Sequence, residues 1–421
     1  MSLVDLVADV KTFESSTVTD LVYQADFDVF DKSVTGIVVH ESGEETEETM
    51  SVYQWCQFRL LKLQAALSRH FINYEHHVEM MLASCIAQEP VLFIGPPGVA
   101  KTEMAINFFG GIGLRKPTLG ETQTSKDLNK DLNKYFEYLL SPFSVPDELF
   151  GTLDFDELQK GRVHRINTNM ITGQKVRGVF LDEVFNASSN ILNTLLTLIN
   201  ERRYFDDGGF KPADLRVFIG ASNHTPEARR TSGGRKQVGE LSAFYDRFSL
   251  RLYFPTPQEH YQTNEQEIRR EYREIVEKSQ SRILEKLNLG RPQAFEQVAC
   301  LNDLLVLGRY LGTTPFPEDA RDTMYGLISN FATQRRKGQE LCYMSPRKAI
   351  KMIPIIYADA YLVPGDRMHH ETQTGELLAY VRENKVTVKR ENLRVFNHIW
   401  DREADRDKLK GEVEIFLNDL A

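Results

Sequence analysis

Residues 90–102 have the sequence Pro-Val-Leu-Phe-Ile-Gly-Pro-Pro-Gly-Val-Ala-Lys-Thr. Pro90–Ile94 is a short apolar run typical of a buried strand, and the glycines and prolines after it predict a loop that leads into a helix. Backbone N–H groups of such a loop can surround a phosphate, while Lys101 reaches phosphate oxygens and Thr102 offers a hydroxyl to Mg²⁺. We therefore predict a nucleotide-binding loop made of Gly95, Pro96, Pro97, Gly98, Val99, Ala100, Lys101, Thr102 and Glu103.

The loop departs from the usual pattern at one position, because Ala100 stands where a glycine normally precedes the lysine. Alanine tolerates a helical φ angle, so we expect the loop to be preserved despite this difference. The competing interpretation is an ordinary Gly/Pro turn that carries a surface lysine.

A second apolar run, Val179-Phe-Leu-Asp-Glu183, ends in two carboxylates. At the end of a strand, Asp182 can hold Mg²⁺ through its water shell, and Glu183 can orient and polarise an attacking water. The alternative is an acidic helix N-cap. Together with the glycine-rich loop, the pattern predicts a magnesium site formed by Thr102 and Asp182.

Further strand candidates are Gly178–Asp182, Arg216–Ala221 and Ser249–Phe254, and each is followed by helix, turn or loop signals. This alternation predicts a parallel sheet covered by helices, the α/β class. Apolar positions from Phe58 to Ile86 recur at three- and four-residue steps and predict two amphipathic helices before the first strand.

Four regions follow from these patterns: an N-terminal arm (1–54), an α/β domain (55–255), an all-helical domain (256–362) and a C-terminal α/β tail (363–421). The acidic run at 41–49 has neither helical nor strand periodicity, so we expect the arm to be partly irregular there. In the last two regions we expect a charged amphipathic helix with apolar positions from Ile268 to Leu287, helices near 317–333, 345–361 and 404–420, and a strand at Lys385–Lys389.

Composition narrows the classes of function. The chain of 421 residues has 51 Lys and Arg against 60 Asp and Glu, a formal net charge of −9. This balance argues against non-specific nucleic-acid binding, which usually needs a basic domain. No apolar run approaches the ~18 residues of a membrane span, and the polar, acidic start is unlike a signal peptide. We expect a cytoplasmic protein with no membrane span.

Two longer stretches carry a family resemblance. The sequence from Tyr135 to Gly151, and FLDEVFNASSNILNTLLTLINERRYF at 180–205, resemble the MoxR group of AAA+ ATPases, and within it the RavA (regulatory ATPase variant A) branch. The resemblance covers about residues 55–255 and is weaker through 362. It implies an AAA+ P-loop αβα sandwich with a parallel sheet, plus an all-helical lid domain.

The resemblance also implies roles for three more residues, each with its own chemistry. Asn223, after the apolar Phe218–Ser222, matches the sensor-1 position, whose amide contacts the γ-phosphate and the attacking water; a cap or turn role is the alternative. Arg247 matches an arginine finger that acts on a neighbouring subunit's nucleotide, with Arg251 as the competitor and an internal salt bridge as a further alternative. Arg347, in the first turn of a helix capped by Ser345, matches sensor 2; otherwise it is a surface arginine.

The implied activity is Mg²⁺-dependent ATP hydrolysis by a ring or spiral, by expectation a hexamer, with ATP sites at the subunit interfaces. Family members often remodel a partner protein that has a von Willebrand A-type domain, in a chaperone-like manner. ATP rather than GTP is also inherited from the resemblance. The alternative classes are a nucleic-acid-translocating AAA+ motor or restriction-type NTPase, and a scaffold that uses ATP only to assemble; the presence of Glu183 argues against the scaffold.

Overall fold

The structure is a computed structural model that describes residues 22, 24–116, 133–167, 169–173, 175–206, 209–226, 241–261, 264–289, 295–336, 344–368, 371–383, 386–400 and 403–418. Its strands are β1 Ser33–Val39, β2 Glu45–Ser51, β3 Val91–Ile94, β4 Lys134–Leu139, β5 Thr152–Leu153, β6 Arg165–Ile166, β7 Val176–Asp182, β8 Arg203–Asp206, β9 Gly209–Pro212, β10 Val217–Ser222 and β11 Leu250–Tyr253. Its α-helices include α1 Val52–His70, α2 Glu75–Ile86, α3 Lys101–Gly111, α4 Pro146–Phe150, α5 Phe155–Gln159, α6 Ser189–Glu201, α7 Pro257–Tyr261, α8 Glu265–Leu289, α9 Leu301–Tyr310, α10 Glu318–Arg336, α11 Pro346–Asp359, α12 Thr374–Glu383 and α13 Arg406–Asn418.

The central sheet has five parallel strands in the order β11-β3-β10-β7-β4. All residues of β3 and β10 are buried, and in β7 only the terminal Asp182 is partly exposed. The α/β parallel-sheet prediction is therefore confirmed, including all four strands expected from apolar runs. The edge strand β4 was not expected, because its sequence KYFEYL mixes charged and apolar residues and it is only partly buried.

The expectation of irregular structure was wrong for residues 45–49 of the acidic run, whereas residues 41–44 form a turn. Residues of this acidic run form β2, which pairs antiparallel with β1 in register from Ser33–Ser51 to Val39–Glu45. Gly43 adopts a φ of 82° in the connecting turn, a conformation that glycine reaches without strain. Most β2 side chains are exposed or half-buried, so the sequence of this strand lacks the alternation of apolar and polar residues that would predict it. The first 21 residues of the predicted arm lie outside the described part of the chain.

The hairpin is attached to helices before and after the sheet. Trp55 of α1 donates its indole N–H to the carbonyl of Val34 at 2.9 Å. Glu41 accepts from the backbone N–H and hydroxyl of Thr374 at the start of α12. The two predicted helices, α1 and α2, are confirmed, and their buried faces carry the apolar positions that predicted them.

A group of helices, α8 to α11, follows the sheet. The helices expected over the Ile268–Leu287 pattern and near 317–333 and 345–361 correspond to α8, α10 and α11, whereas α9 was not expected. Ser345 caps α11 by accepting from the Lys348 amide at 3.1 Å, with Pro346 in the first turn. The boundaries of the four predicted regions remain predictions.

The strand expected at Lys385–Lys389 was also wrong for its described residues, Val386–Lys389, which lie outside any strand; Lys385 lies outside the described part. The Val388 amide donates to the carbonyl of Pro315 at 3.0 Å. Because proline has no N–H, it cannot return the second hydrogen bond of a ladder. The described part of the tail contains helices and turns without strands, and α13 confirms the final helix.

Candidate functional site

The glycine-rich loop lies between β3 and α3, at the carboxyl edge of the sheet. A Cβ atom at Gly95 would lie 2.3 Å from the carbonyl oxygen of Phe254, so no larger residue fits there. Gly98 adopts a φ of 86°, which also favours glycine. Backbone geometry therefore favours glycine at both positions, and the loop leads directly into α3.

Ala100 differs from the sequence expectation. Its φ and ψ are 61° and 17°, in the left-handed region, instead of the helical angles that we expected. This conformation costs a residue with a Cβ about 1–2 kcal/mol. The strained residue occupies the N-cap position of α3 and supplies no side-chain acceptor, so the N–H groups of the first turn can turn to an anion.

Lys101 is buried inside the loop. Its Nζ donates to the carbonyl oxygens of Gly95 at 2.6 Å and Pro96 at 2.9 Å, and to Oδ1 of Asn223 at 2.9 Å. Burial lowers the pKa of its ammonium group, an effect opposed by the charges of Asp182 and Glu183. Phosphate oxygens are stronger acceptors than these carbonyls, so the ammonium is poised for exchange onto a nucleotide.

Thr102 and Asp182 meet across the gap between α3 and β7. The Thr102 hydroxyl donates to Oδ2 of Asp182 at 2.9 Å, and Oδ1 of Asp182 accepts from the Glu183 amide at 2.9 Å. A hydroxyl and a carboxylate are hard oxygen donors that fit Mg²⁺, which usually binds one or two carboxylates together with substrate phosphates. Consistently, the described residues contain no cluster of three or more His, Cys, Asp or Glu that could hold a metal alone.

Glu183 occupies a second left-handed position, with a φ of 52°. Its Oε1 accepts a short hydrogen bond from Nδ2 of Asn223, and its Oε2 accepts from Asn186 at 3.4 Å. Backbone strain of this kind, of order 1–3 kcal/mol, persists where surrounding contacts hold it and often marks functional residues.

Asn223 connects the two halves of the site. Its Oδ1 accepts from Lys101 while its Nδ2 donates to Glu183, so the amide uses both ends within the site. This pattern argues against the alternative in which Asn223 merely caps a turn. The structure therefore brings together five of the predicted side chains: Lys101, Thr102, Asp182, Glu183 and Asn223.

Arg247 lies at the opposite edge of the same sheet. Leu250 pairs with Val91 in the parallel register, so Arg247 precedes the amino end of β11, whereas Gly95 follows the carboxyl end of β3. At about 3.3 Å per residue, the four-residue strand alone separates the two edges by ~13 Å. The backbone of Arg247 therefore lies at the edge of the sheet opposite to the glycine-rich loop of its own chain.

Arg347 accompanies Arg247 at that opposite edge. Burial lowers the pKa of Arg247, and the nearby positive charge of Arg347 lowers it further. Lys351, one turn after Arg347 in α11, donates to Glu89 just before β3 at 2.9 Å and to the Arg247 carbonyl at 3.5 Å. The two arginines thus form a cationic pair outside the site of their own chain. Nε of Arg247 is buried without an acceptor in the described part of the structure.

Arg251, in contrast to Arg247, is held by contacts inside the protein. It is fully buried, its Nη1 donates to the carbonyls of Ile399 at 2.9 Å and Trp400 at 2.6 Å, and its guanidinium lies 4.0 Å from the ring centre of Tyr245. A side chain held in this way fastens the C-terminal segment to β11. It cannot reach a neighbouring subunit without disrupting that packing, which leaves Arg247 as the accessible candidate.

Sequence reasoning missed the hairpin of β8 and β9, which follows Arg202, a donor to the carbonyl of Gln88 just before β3. Strands β8 and β9 follow α6 and expose Phe205 and Phe210 by 60% and 57%, and Arg203 lies 4.5 Å from the ring centre of Phe210. The Gly-Gly pair at 208–209 was the available turn signal.

None of the helices described here combines the length and apolar character that crossing a bilayer requires.

Comparison with known proteins agrees with this arrangement. Residues 114–267 match the family model described as the MoxR domain in the MoxR-vWA-beta-propeller ternary systems. The match contains Asp182, Glu183, Asn223 and Arg247 but begins after the glycine-rich loop. Over these residues the chain is similar to MoxR domains.

Two uncharacterized proteins of Methanocaldococcus jannaschii, MJ0079 and MJ0812, are each 34% identical to the chain over 194 and 193 residues, which is 46% of this chain and 43% of each relative. The match thus spans less than half the length of these curated relatives. A crystal structure from Cytophaga hutchinsonii, whose description proposes an ATPase, has 14% identity and a TM-score of 0.53 over 87% of this chain and 95% of that one. At this identity the likeness shows the fold alone, an α/β fold built on a parallel sheet.

Proposed function

We propose that this chain hydrolyses ATP with Mg²⁺ as a MoxR-type AAA+ ATPase. The observation that carries the proposal is the convergence of Lys101, Asn223 and Glu183 beside the Thr102–Asp182 pair at one edge of the sheet. Lys101 would leave its loop carbonyls for phosphate oxygens, and Mg²⁺ held by Thr102 and Asp182 would neutralise phosphate charge. The Glu183 carboxylate, which accepts a hydrogen bond from Asn223 in this structure, would orient the attacking water.

The site also suggests that a second copy of the chain is part of the mechanism. Arg247 and Arg347 lie together at the edge opposite to their own glycine-rich loop, and Nε of Arg247 has no acceptor among the described residues. If copies stack head to tail in a ring, by expectation a hexamer, both guanidinium groups face the neighbour's phosphates. We therefore propose that Arg347, the residue that matches sensor 2, acts in trans together with Arg247.

We further propose that ATP turnover remodels a partner with a von Willebrand A-type domain, as a chaperone-like activity. The support is the family description, which places the matched MoxR domain in ternary systems with vWA and β-propeller proteins. Membership of the RavA branch is proposed on the sequence resemblance alone.

Three variants test the catalytic assignment. Lys101→Ala should abolish ATP binding, and Glu183→Gln should bind ATP with turnover reduced at least about 100-fold, because only the water-activating group is lost. Arg247→Ala should also bind ATP but lose turnover by about 10³-fold or more if it acts as a finger. Equal ATPase rates for the wild type and Glu183→Gln would refute the hydrolytic proposal.

Mixed assemblies test the trans arrangement. Glu183→Gln and Arg247→Ala protomers, each inactive alone, should regain activity when mixed, because some interfaces then combine an intact Glu183 with an intact Arg247. The same should hold when Arg347→Ala replaces Arg247→Ala. Recovery with neither arginine variant would contradict action in trans. Capture of clients by the Glu183→Gln protein in the presence of ATP, with a vWA-domain protein as the probe, tests the partner proposal separately.

A further inference from the structure

A cavity of about 280 Å³ lies where the first turn of α2 meets the C-terminal part of the chain. Its walls come from α2, the end of α11 with the following loop, the 3₁₀ segment Arg390–His398 and α13. None of its lining residues belongs to the proposed nucleotide site. Pockets for drug-sized ligands are about 300–1,000 Å³, so this one suits a smaller molecule.

Two buried acceptor atoms on this cavity wall have no donor among the described residues. Oδ1 of Asp359 and Oδ1 of Asn397 are each unpartnered, and their residues are only 5% and 8% exposed. An unpaired buried polar atom typically costs about 1–3 kcal/mol. Two such atoms around one space indicate a ligand that donates hydrogen bonds.

The Asp359 carboxyl group also contacts the carboxyl group of Glu79, a residue that is 5% exposed. Glu79 already accepts from the Gly365 amide at 2.9 Å and from His76 at 2.8 Å, while Asn392 donates to Asp359 Oδ2 at 2.9 Å. Two buried carboxyl groups in contact need a proton or a cation to share. When both carboxyl groups are ionised, their contact therefore lacks a balancing positive charge.

The remaining walls set the charge of the cavity. The loop after α11 contributes Asp366, the 3₁₀ segment contributes Glu391 and Arg394, and α13 contributes Lys410 and Glu414. Asp366 pairs with Arg394 at 3.8 Å, and Glu391 pairs with Arg367 at 3.2 Å and Lys389 at 3.9 Å. Nε2 of His76 lies 2.8 Å from Nε2 of the half-buried His398, so the two rings share one hydrogen bond. The carboxyl groups of Glu79 and Asp359 have no ion pair with Lys or Arg among the described residues, and their negative charge attracts a cation.

We propose that this cavity binds a small organic cation, a primary ammonium or guanidinium ligand, with Asp359 and Asn397 as its acceptors. An organic cation is favoured over a metal because the described residues include no cluster of three or more metal-ligating side chains, whereas N–H donors satisfy separate acceptors one by one. The bound ligand ties α2, which precedes the phosphate loop, to the end of α11 and to α13. Occupancy thus stabilises the attachment of the C-terminal helices to the sheet domain.

Protonation competes with the ligand. Burial, together with the charge of Glu79, raises the pKa of Asp359 well above its usual value. Below that pKa the carboxyl proton fills the role of the cation; above it, the negative charge is available to the ligand. Affinity should therefore increase as the pH rises, and binding should release a proton to the buffer.

The test is calorimetric titration of the full chain with putrescine and, separately, agmatine at pH 8, supported by thermal unfolding. We expect saturable binding that raises the unfolding temperature, weakens at least about tenfold in Asp359→Asn, and is unchanged in Asp322→Asn, an exposed residue of α10. Asn397→Ala should weaken binding by a smaller factor. Heats measured in buffers of different ionisation enthalpy should show proton release.

Three outcomes would overturn the proposal: no binding of either amine to the folded wild-type chain, equal binding by wild type and Asp359→Asn, or protection by MgCl₂ alone that depends on Asp359 and exceeds that of the amines. The wild-type titration decides the first outcome even if a variant fails to fold. All measurements omit nucleotide, so a failure here leaves the proposed ATPase function untouched.

Discussion

Replacing Asp303 with alanine should remove much of the stability that joins α1 to α9. Asp303 is fully buried and accepts from Arg59 three times, from Nε to both oxygens at 3.0 Å and from Nη2 to Oδ1 at 2.5 Å. It also accepts from the Cys300 amide at 2.8 Å, which caps α9. The substitution leaves the guanidinium group of Arg59, a residue that is itself only 5% exposed, without its carboxylate partner.

Breaking a buried ion pair on one side typically costs about 3–5 kcal/mol, and the lost cap adds about 1 kcal/mol. We expect a loss of about 4–6 kcal/mol in the free energy of unfolding, against a typical total of about 5–15 kcal/mol. Urea unfolding followed by tryptophan fluorescence measures it well, because Trp55 lies on the same helix as Arg59 and is buried.

Two companion variants sharpen the test. The double variant Arg59→Met with Asp303→Leu removes both charges, so it should be more stable than Asp303→Ala by several kcal/mol, roughly 2 or more. Asp319→Ala breaks a partly exposed pair with Arg390 and should change stability by less than about 1 kcal/mol. A loss below about 1 kcal/mol for Asp303→Ala would show that the buried pair does not hold these helices together.

Three further predictions follow from the same structure. Ala100→Gly should leave the protein as stable or raise its stability by up to about 1 kcal/mol in thermal unfolding, because relief of the left-handed φ outweighs the added freedom of the unfolded chain; a loss above about 1 kcal/mol would contradict the strain. Arg251→Ala should lower the unfolding temperature by several degrees while Arg247→Ala changes it little, and the reverse order would exchange their roles. Burial lowers the pKa of His77 to about 4, and its Nε2 lies 2.6 Å from the Tyr253 carbonyl. Since the unfolded chain binds this proton first, stability should fall as the pH drops from about 6.5 to 4, and His77→Gln should flatten that fall in denaturation curves.

The site could be predicted in large part because its residues follow strands. Asp182 and Asn223 each terminate or follow an apolar run, and the carboxyl ends of parallel strands share one edge of the sheet, so sequence order alone brings them near Lys101. Ala100 could not be predicted in the same way, because a residue's φ depends on how the loop closes over Phe254. The hairpin β1–β2 was not predicted for a related reason: β2 consists mostly of polar residues, and the hairpin is held by contacts with Trp55 and Thr374.

What the amino-acid sequence determined by itself is the α/β class, the glycine-rich loop between β3 and α3 and the two acidic residues at the carboxyl end of β7, since apolar runs and glycine positions are local properties of the chain. Only the tertiary structure distinguishes the surroundings of Arg247 and Arg251, which lie four positions apart and have the same chemistry. The parallel register puts Arg247 at the far edge beside Arg347, whereas packing encloses Arg251 under the C-terminal segment. Burial and partners at long sequence separation are global properties, and no local pattern encodes them.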